Sequence, residues 1–331
     1  MYNENKKKHI KPKLIGQGVY GCVYNPGYNC KNKLLDGKVT KLSVKNDAAI
    51  NEINVGKHIK NKLENYDNFF IIQEEYCLPK KIIKDEKCDL INKKNKKKKE
   101  FIILMSKYVK SNELKTYLHL YDEPKKLHKL MCDILTRIDM LYKLDIIHMD
   151  MHSSNMLIDE NKNLYVIDFG LALFQNNIYN NDEEINMEYI IDNILHPNDK
   201  WIMWSVEYNL IGHILSNKNF NNNLIRNCII NQYDNNIYLR YMFPNRNQYI
   251  KNTFMYFSSN LKGTTNDKLC FLFRHCKSWD YYSFAIRIMT IMIRNNVEMP
   301  VPIISLLRDM IKHKDRVYGP IVLDKLKLIK T

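Results

Sequence analysis

Two neighbouring stretches of sequence decide the fold: Ile147-His148-Met149-Asp150-Met151-His152-Ser153-Ser154-Asn155-Met156-Leu157-Ile158 and Leu164-Tyr165-Val166-Ile167-Asp168-Phe169-Gly170. Apolar runs on either side of a polar loop predict a small β-hairpin, with Asp150 and Asn155 at its mouth and Asp168 after its second strand. Two carboxylates and an amide that converge on one point can hold magnesium and orient a hydroxyl group. The pattern therefore indicates a catalytic site.

The pair of motifs, His-x-Asp-x-x-x-x-Asn and Asp-Phe-Gly, resembles the catalytic loop and the following segment of the protein kinase superfamily. The resemblance implies an α+β, bilobal fold, with a small antiparallel β-sheet lobe that carries one main helix and a larger, mostly helical lobe. It also implies an ATP-dependent kinase that transfers the γ-phosphate to Ser/Thr hydroxyls of protein substrates. In that activity Asp150 is the catalytic base, while Asn155 and Asp168 hold Mg²⁺, with Mn²⁺ as the alternative ion.

A glycine-rich hairpin is expected near the N-terminus, where Gly16-Gln17-Gly18-Val19-Tyr20-Gly21-Cys22-Val23 follows a G-x-G-x-x-G-x-V pattern. A dinucleotide-binding βαβ unit needs a helix after the last glycine, but Cys22-Val23-Tyr24 continues as strand. A plain glycine hairpin remains the alternative. In the kinase family this hairpin covers the nucleotide phosphates, so the resemblance assigns the cofactor-binding residues Gly16, Gln17, Gly18, Val19, Gly21 and Val23.

A strand over residues 38–44 places Lys41 where the family has its phosphate-binding lysine; Lys38 and Lys45 are the competing candidates. On the helix that follows, roughly Asp47 to Leu63, Glu52 is expected to pair with Lys41. The alternatives are that Glu52 is only a favourable acid near a helix N-terminus, or that Glu64 takes the role.

Further motifs follow in the family's order and set the domain boundaries. We expect a basic arm over residues 1–12, a small lobe over 13–105 and a large lobe over 106–331, with a partly helical insertion at about 208–279. Residues 106–108 correspond to the family's adenine-binding hinge. Trp204-Ser205-Val206-Glu207-Tyr208 resembles a degenerate Ala-Pro-Glu. The resemblance further predicts that Asp280 braces the catalytic loop and that Glu207 pairs with Arg316.

Two departures from the family pattern bear on function. His152 stands where serine/threonine kinases have a lysine, and an imidazole there also resembles the loop of small-molecule kinases. Met149 replaces the arginine that binds a phosphorylated activation loop, which predicts activity independent of such phosphorylation.

The drifted motifs and the enlarged segment at about 208–279 resemble the serine/threonine kinases of large cytoplasmic DNA viruses. A pseudokinase or binding module built on the kinase fold is the alternative function.

The formal net charge of the 331 residues is +15, which favours acidic partners without choosing among them. The lysine run Lys93–Lys99 is interpreted as a solvated loop, with nuclear import or nucleic-acid binding as the less favoured alternatives.

The eight cysteines show no C-x-x-C pair and are interpreted as reduced thiols. With no signal peptide and no apolar stretch of membrane-spanning length, we expect a cytoplasmic protein, in the host cytoplasm if the chain is viral. The oligomeric state stays open.

Overall fold

The computed structural model describes residues 11–18, 21–83, 85–92, 100–180, 184–194, 197–216 and 220–330. Two compact units divide them: the first runs to Lys110 and includes Asp168–Gly170, and the second holds Ser111–Ile167 and the residues from Leu171 onward. Three sequence predictions fall outside the described residues. They concern residues 1–10 of the basic arm, Val19 of the glycine motif and the run Lys93–Lys99.

The first unit is built around a five-stranded antiparallel sheet with the strand order β1-β2-β5-β7-β6. The strands of the unit are β1 (Lys13–Gln17), β2 (Gly21–Asn25), β3 (Gly27–Tyr28), β4 (Leu34–Leu35), β5 (Lys38–Val44), β6 (Glu75–Cys77) and β7 (Phe101–Lys107). Its helices are α1 (Asp47–Lys62) and the four-residue α2 (Asp89–Asn92). Asn46 caps α1 by accepting a hydrogen bond from the backbone N–H of Ala49.

The interior strand β7, between β5 and β6, is apolar on both faces, as expected for a strand covered on both sides. Ile103 and Met105 belong to one cluster of buried side chains, while Ile102 and Leu104 pack with residues of α1 on the opposite face. Lys41 on β5 lies directly opposite Leu104. Because side chains alternate along a strand, this register puts Lys41 on the face of the sheet that α1 covers.

The cysteine prediction was wrong for four of the eight residues. Two disulfides, Cys22–Cys88 and Cys30–Cys77, lie in the first unit, each with its Cα atoms 6.0 Å apart. The sheet core brings together thiols that are 66 and 47 residues apart in sequence, a separation that no local spacing rule detects. The first unit also contains the short hairpin β3–β4, between β2 and β5.

The second unit is mostly helical. Its strands are β8 (Ser111–Glu113), β9 (Ile146–Ile147), β10 (Met156–Asp159), β11 (Leu164–Val166) and β12 (Leu173–Phe174). Its helices are α3 (Leu114–Tyr117), α4 (Pro124–Lys143), α5 (Met187–Asn193), α6 (Val206–Ser216), α7 (Asn222–Asn235), α8 (Ile237–Met242), α9 (Arg246–Asn260), α10 (Thr265–Phe273), α11 (Trp279–Asn295), α12 (Val301–Ile311) and α13 (Ile321–Leu328). The predicted α+β class is confirmed, with one sheet-based unit and one helical unit.

Helix α4 forms because apolar residues recur at spacings of three and four, which puts them on one face. That face is buried and includes Leu127, Leu130, Met131, Ile134, Leu135, Ile138 and Leu141. The helix ends just before β9, which pairs with β12, and the β10–β11 hairpin follows with Met156 opposite Val166. Among the described residues, no helix combines the length and the hydropathy that a membrane span requires.

Candidate active site

The candidate residues of the first unit include a cluster of three charges. The Lys41 ammonium lies 2.8 Å from Glu52 Oε2 and 2.9 Å from Asp168 Oδ1. The amide of Gln73 donates a second hydrogen bond to Glu52, to Oε1 at 2.8 Å. The predicted ion pair between Lys41 and Glu52 is therefore present, and the same lysine also binds the acid of the Asp-Phe-Gly segment.

Burial and the neighbouring charges have opposing effects on the pKa values in this cluster. Burial alone lowers the pKa of Lys41, but the negative charges of Glu52 and Asp168 outweigh it and hold that pKa above its ordinary value. Burial raises the pKa of Glu52, against the opposing effect of the lysine and of the Gln73 amide. The lysine therefore stays charged, and it contacts two carboxyl groups from distant parts of the sequence.

The competing lysines have other partners. Lys38 pairs with Glu74 and Glu75, and Lys45 pairs with Glu100. The alternative acid, Glu64, is exposed two residues past the end of α1. Of the candidates considered from sequence, Lys41 and Glu52 are the two that the fold brings together.

The backbone at Asp168 has an uncommon conformation, with φ +64°. A non-glycine residue in this left-handed region costs of order 1–3 kcal/mol, so the surrounding contacts must hold it. The next side chain, Phe169, is buried edge-on against Phe70 with ring centres 6.0 Å apart. The amide of Asn51 donates to the carbonyl oxygen of Gly170 at 3.3 Å. These contacts fix the segment that presents the Asp168 carboxylate.

The glycine hairpin is closed by a hydrogen bond from the Gly18 N–H to the Gly21 carbonyl at 2.9 Å. A Cβ at position 21 would lie 2.8 Å from the carbonyl oxygen of Leu42, so only glycine allows β2 this close to β5. Gln17 donates to the carboxylate of Asp89 and accepts from the Asp89 N–H, both at 3.1 Å. Gly16, Gln17, Gly18, Gly21 and Val23 thus lie on β1, β2 and the tip between them.

The candidate residues of the second unit lie in the loop over residues 147–155. Asp280, at the start of α11, accepts the backbone N–H of His148 at 2.6 Å and that of Met149 at 3.0 Å. The ring of His148 lies within hydrogen-bond distance of the Ile167 carbonyl and of the Asp150 N–H. Asp280 therefore braces this loop as predicted, and His148 ties it to the end of the β10–β11 hairpin.

Within this loop Asp150 is held by two side chains. The amide of Asn155 donates to Asp150 Oδ2 at 2.8 Å and to its carbonyl oxygen at 3.0 Å. His152 Nε2 lies 3.3 Å from the same Oδ2, while its Nδ1 accepts from the Ser154 N–H. Since Nδ1 is an acceptor, the ring proton belongs on Nε2, where it points at Asp150.

The state of the Asp150 carboxyl follows from these contacts. Burial alone raises its pKa, but the hydrogen bond and charge of His152, with help from His148 and Asn155, outweigh burial and hold the pKa below its ordinary value. The side chain keeps 18% of its surface exposed. Asp150 is therefore an ionised, accessible proton acceptor at neutral pH.

The sequence model of the protein kinase domain matches residues 10–263. This chain belongs to the protein kinase domain family. Its relatives include the dual specificity protein kinase zakA of Dictyostelium discoideum, which is 26% identical over 184 residues. The serine/threonine-protein kinase BCK1/SLK1/SSP31 of Saccharomyces cerevisiae is 24% identical over 180 residues. Each match covers 53% of this chain but only 20% and 11% of the two relatives, so the chain spans a minor part of their length.

Kinase domains use ATP and a divalent metal, and the chemistry of two side chains here suits such an ion. Asn155 uses its amide nitrogen on Asp150, which leaves its carbonyl oxygen as a ligand, and Asp168 binds Lys41 through only one carboxylate oxygen. Amide and carboxylate oxygens are the ligands that Mg²⁺ and Mn²⁺ prefer.

The second unit also contains the predicted ion pair between Glu207 on α6 and Arg316. Arg316 Nη2 lies 2.8 Å from Glu207 Oε1, and both side chains are almost completely buried. Two neighbouring contacts were not predicted from the sequence. Trp204 Nε1 donates to the carbonyl oxygen of Met149 at 3.0 Å, and the Gln232 amide donates to the Trp204 carbonyl at 2.6 Å. No sequence signal marked Gln232, because its partner is 28 residues away.

Proposed function

We propose that this chain is an active protein serine/threonine kinase that transfers the γ-phosphate of ATP to protein hydroxyls. The observation that supports it best is the Asp150 carboxylate, which is ionised, partly exposed and held by Asn155 and His152. A pseudokinase has no need of such a proton acceptor. The membership of the kinase family supports the general reaction, and the Ser/Thr preference is our own assignment.

In this proposal Asp150 orients the substrate hydroxyl and accepts its proton as the hydroxyl oxygen attacks the γ-phosphorus. General-base assistance of this kind contributes about 10²–10⁴ in rate. The bond from the γ-phosphorus to the bridging oxygen of ADP breaks, so ADP leaves and a phosphate ester forms. Lys41, which Glu52 keeps in position, offers its ammonium to the nucleotide phosphates.

Asn155 and Asp168 are proposed to hold Mg²⁺, or alternatively Mn²⁺. When bound, such an ion neutralises charge on the β- and γ-phosphates. The glycine hairpin, with Gly16, Gln17, Gly18, Val19, Gly21 and Val23, is proposed to cover the nucleotide. His152 donates a hydrogen bond near the transferring group in place of a lysine. An imidazole does not carry the permanent full charge of a lysine ammonium, which predicts slower transfer with histidine than with lysine at this position.

We also propose the lobe boundaries and the location that the sequence suggests. They are the small lobe over residues 13–105, the large lobe with its insertion at about 208–279, and the location in the cytoplasm. The likeness to kinases of large cytoplasmic DNA viruses rests on the drifted motifs and on the enlarged segment. A small-molecule kinase is the second candidate, which the presence of His152 two residues after Asp150 favours.

Transfer from γ-labelled ATP to a panel of acceptors tests the proposal. The panel contains proteins with only Ser/Thr, proteins with only Tyr, and small alcohols, and acid hydrolysis of the labelled proteins identifies the phosphorylated residue. We expect phosphoserine or phosphothreonine. Label only on small alcohols would establish the second candidate, and no label on any acceptor from a chain that binds ATP would establish a pseudokinase.

A further inference from the structure

Three side chains from separate segments of the second unit meet outside the candidate active site. Asp199 lies in the turn before Trp201, His213 on α6 and Cys228 on α7. His213 Nε2 is 3.1 Å and Cys228 Sγ is 3.5 Å from Asp199 Oδ1. One carboxylate oxygen, one imidazole nitrogen and one sulfur all lie within 4.8 Å of one another.

We propose that Asp199, His213 and Cys228 bind one zinc ion. In a tetrahedral zinc site with ligand bonds of about 2.0–2.3 Å, neighbouring oxygen and nitrogen ligands lie about 3.4 Å apart, and oxygen and sulfur ligands about 3.6 Å apart. The distances in the structure agree with both values to within a few tenths of an ångström. Two of the three donor–donor distances therefore already match the spacing that the ion requires, and the imidazole nitrogen and the sulfur lie within 4.8 Å of each other.

The donor set selects zinc among common ions. A thiolate and an imidazole are poor ligands for Mg²⁺ and Ca²⁺ but suit Zn²⁺ well. On binding, the Cys228 thiol loses its proton to solvent, and a ring proton on His213 Nε2 moves to Nδ1. One thiolate and one carboxylate then balance the double charge of the ion. Three protein ligands leave a fourth position for water.

The surrounding fold is built so that these residues approach closely. A Cβ at Gly212, next to His213, would lie 2.9 Å from the backbone nitrogen of Pro197, so glycine is needed for α6 to pack on this turn. Asn209 of α6 accepts the backbone N–H of Asn198 at 3.0 Å. Cys228 is buried, while Asp199 and His213 keep 15% and 24% of their side-chain surfaces exposed. An ion can therefore reach the buried sulfur past two accessible ligands.

The location gives the site a role in positioning the catalytic loop. The segment that starts at Asp199 continues to Trp201, whose ring meets the ring of His152 edge-on at 6.2 Å. Trp204, three residues further, donates to the Met149 carbonyl. Zinc would thus fix the segment that packs on this loop to the helices α6 and α7. The proposal is independent of whether the chain transfers phosphate, because its tests measure metal binding.

The full-length chain, purified without chelators, is analysed for metals by mass spectrometry and, after removal of metal, is titrated with Zn²⁺ or Co²⁺. We expect about one zinc per chain, a rise in melting temperature of roughly 5–10 °C at saturating Zn²⁺, and a near-ultraviolet sulfur-to-cobalt charge-transfer band with Co²⁺.

His213→Gln and Cys228→Ser should lose the stoichiometric zinc and the temperature rise. Cys132→Ser, which removes a half-buried thiol of α4 that is in no disulfide, should keep both. Far-UV circular dichroism establishes that each variant is folded. The cobalt band of the unmodified chain does not depend on any variant. Absence of that band, or a Cys228→Ser variant that binds zinc as the unmodified chain does, would overturn the proposal.

Discussion

Replacing Arg316 with methionine should destabilise the helical unit strongly, because it strands a buried carboxylate. The exposed fraction of the side chain is 1% for Arg316 and 4% for Glu207, and the two groups are 2.8 Å apart. Arg316 also donates to the Lys312 carbonyl and to Ser278 Oγ, and its guanidinium faces the ring of Tyr282. Removing one partner of such a buried pair costs about 3–5 kcal/mol.

That free energy corresponds to a fall in melting temperature of about 6–20 °C for a unit of roughly 200 residues. Differential scanning calorimetry of the full chain measures it. Arg246→Met is the matched control, since Arg246 forms a close pair with Asp234 in which both side chains are nearly half exposed. Such exposed pairs contribute little to stability, because solvent screens their charges.

The pH dependence of the defect tests its cause. In the native protein, burial alone raises the pKa of Glu207, but Arg316 and His313 hold it well below its ordinary range. The stability from this group is therefore present above the unfolded-state pKa of about 4.3 and lost as the pH falls below it. In Arg316→Met the pKa of Glu207 in the folded protein should lie above that unfolded-state value. The loss of stability relative to the unmodified chain should therefore become smaller as the pH falls from about 7.5 to about 5.

Glu207→Gln in the Arg316→Met background should recover part of the lost stability, because it removes the stranded charge. The reasoning would be refuted if Arg316→Met lowered the melting temperature no more than Arg246→Met does. A defect that stayed constant over that pH range would also contradict it.

Three further predictions concern the first unit and the catalytic loop. Cys88→Ser opens a loop that a disulfide closes over a sequence separation of 66. It should lower the free energy of unfolding, measured by denaturant titration, by about 4 kcal/mol or less. An unchanged denaturation midpoint would contradict the disulfide. Lys41→Met should abolish the thermal shift that ATP and magnesium produce, whereas Lys45→Met, which removes an exposed pair with Glu100, should keep it. Because buried Met149 stands where the family has a phosphate-reading arginine, phosphatase treatment should leave kinase activity unchanged, and a large loss on treatment would count against this reading.

The parts of the site that were predictable from sequence are those whose chemistry is local. Asp150, His152 and Asn155 meet because five residues of loop before β10 bring them together, and the hairpin that follows was visible in its apolar runs. The pairs of Lys41 with Glu52 and of Glu207 with Arg316 are not local. They were expected only because the order of the family's motifs assigns partners that lie far apart in the sequence. Hydrophobic periodicity alone does not identify such partners.

Contacts that depend on how separate segments pack were not predictable. The disulfide of Cys22 and Cys88 joins strand β2 to the residue just before the short helix α2, and nothing in the spacing of the cysteines indicates that pairing. Asp199, His213 and Cys228 follow no known ligand spacing and meet only because Gly212 permits a close approach. These features result from tertiary packing, which local sequence patterns do not encode.

The most direct test of the central claim is single-turnover phosphate transfer by the unmodified chain and by Asp150→Asn, with Asp159→Asn as control. Asp159 lies at the end of β10 and is bonded to Asn161, Asn163 and Tyr165. We expect Asp150→Asn to lower the rate constant by about 10²–10⁴ while ATP still raises the melting temperature, and Asp159→Asn to transfer phosphate nearly as fast as the unmodified chain. Equal rates in the unmodified chain and in Asp150→Asn would contradict the role of Asp150 as the base.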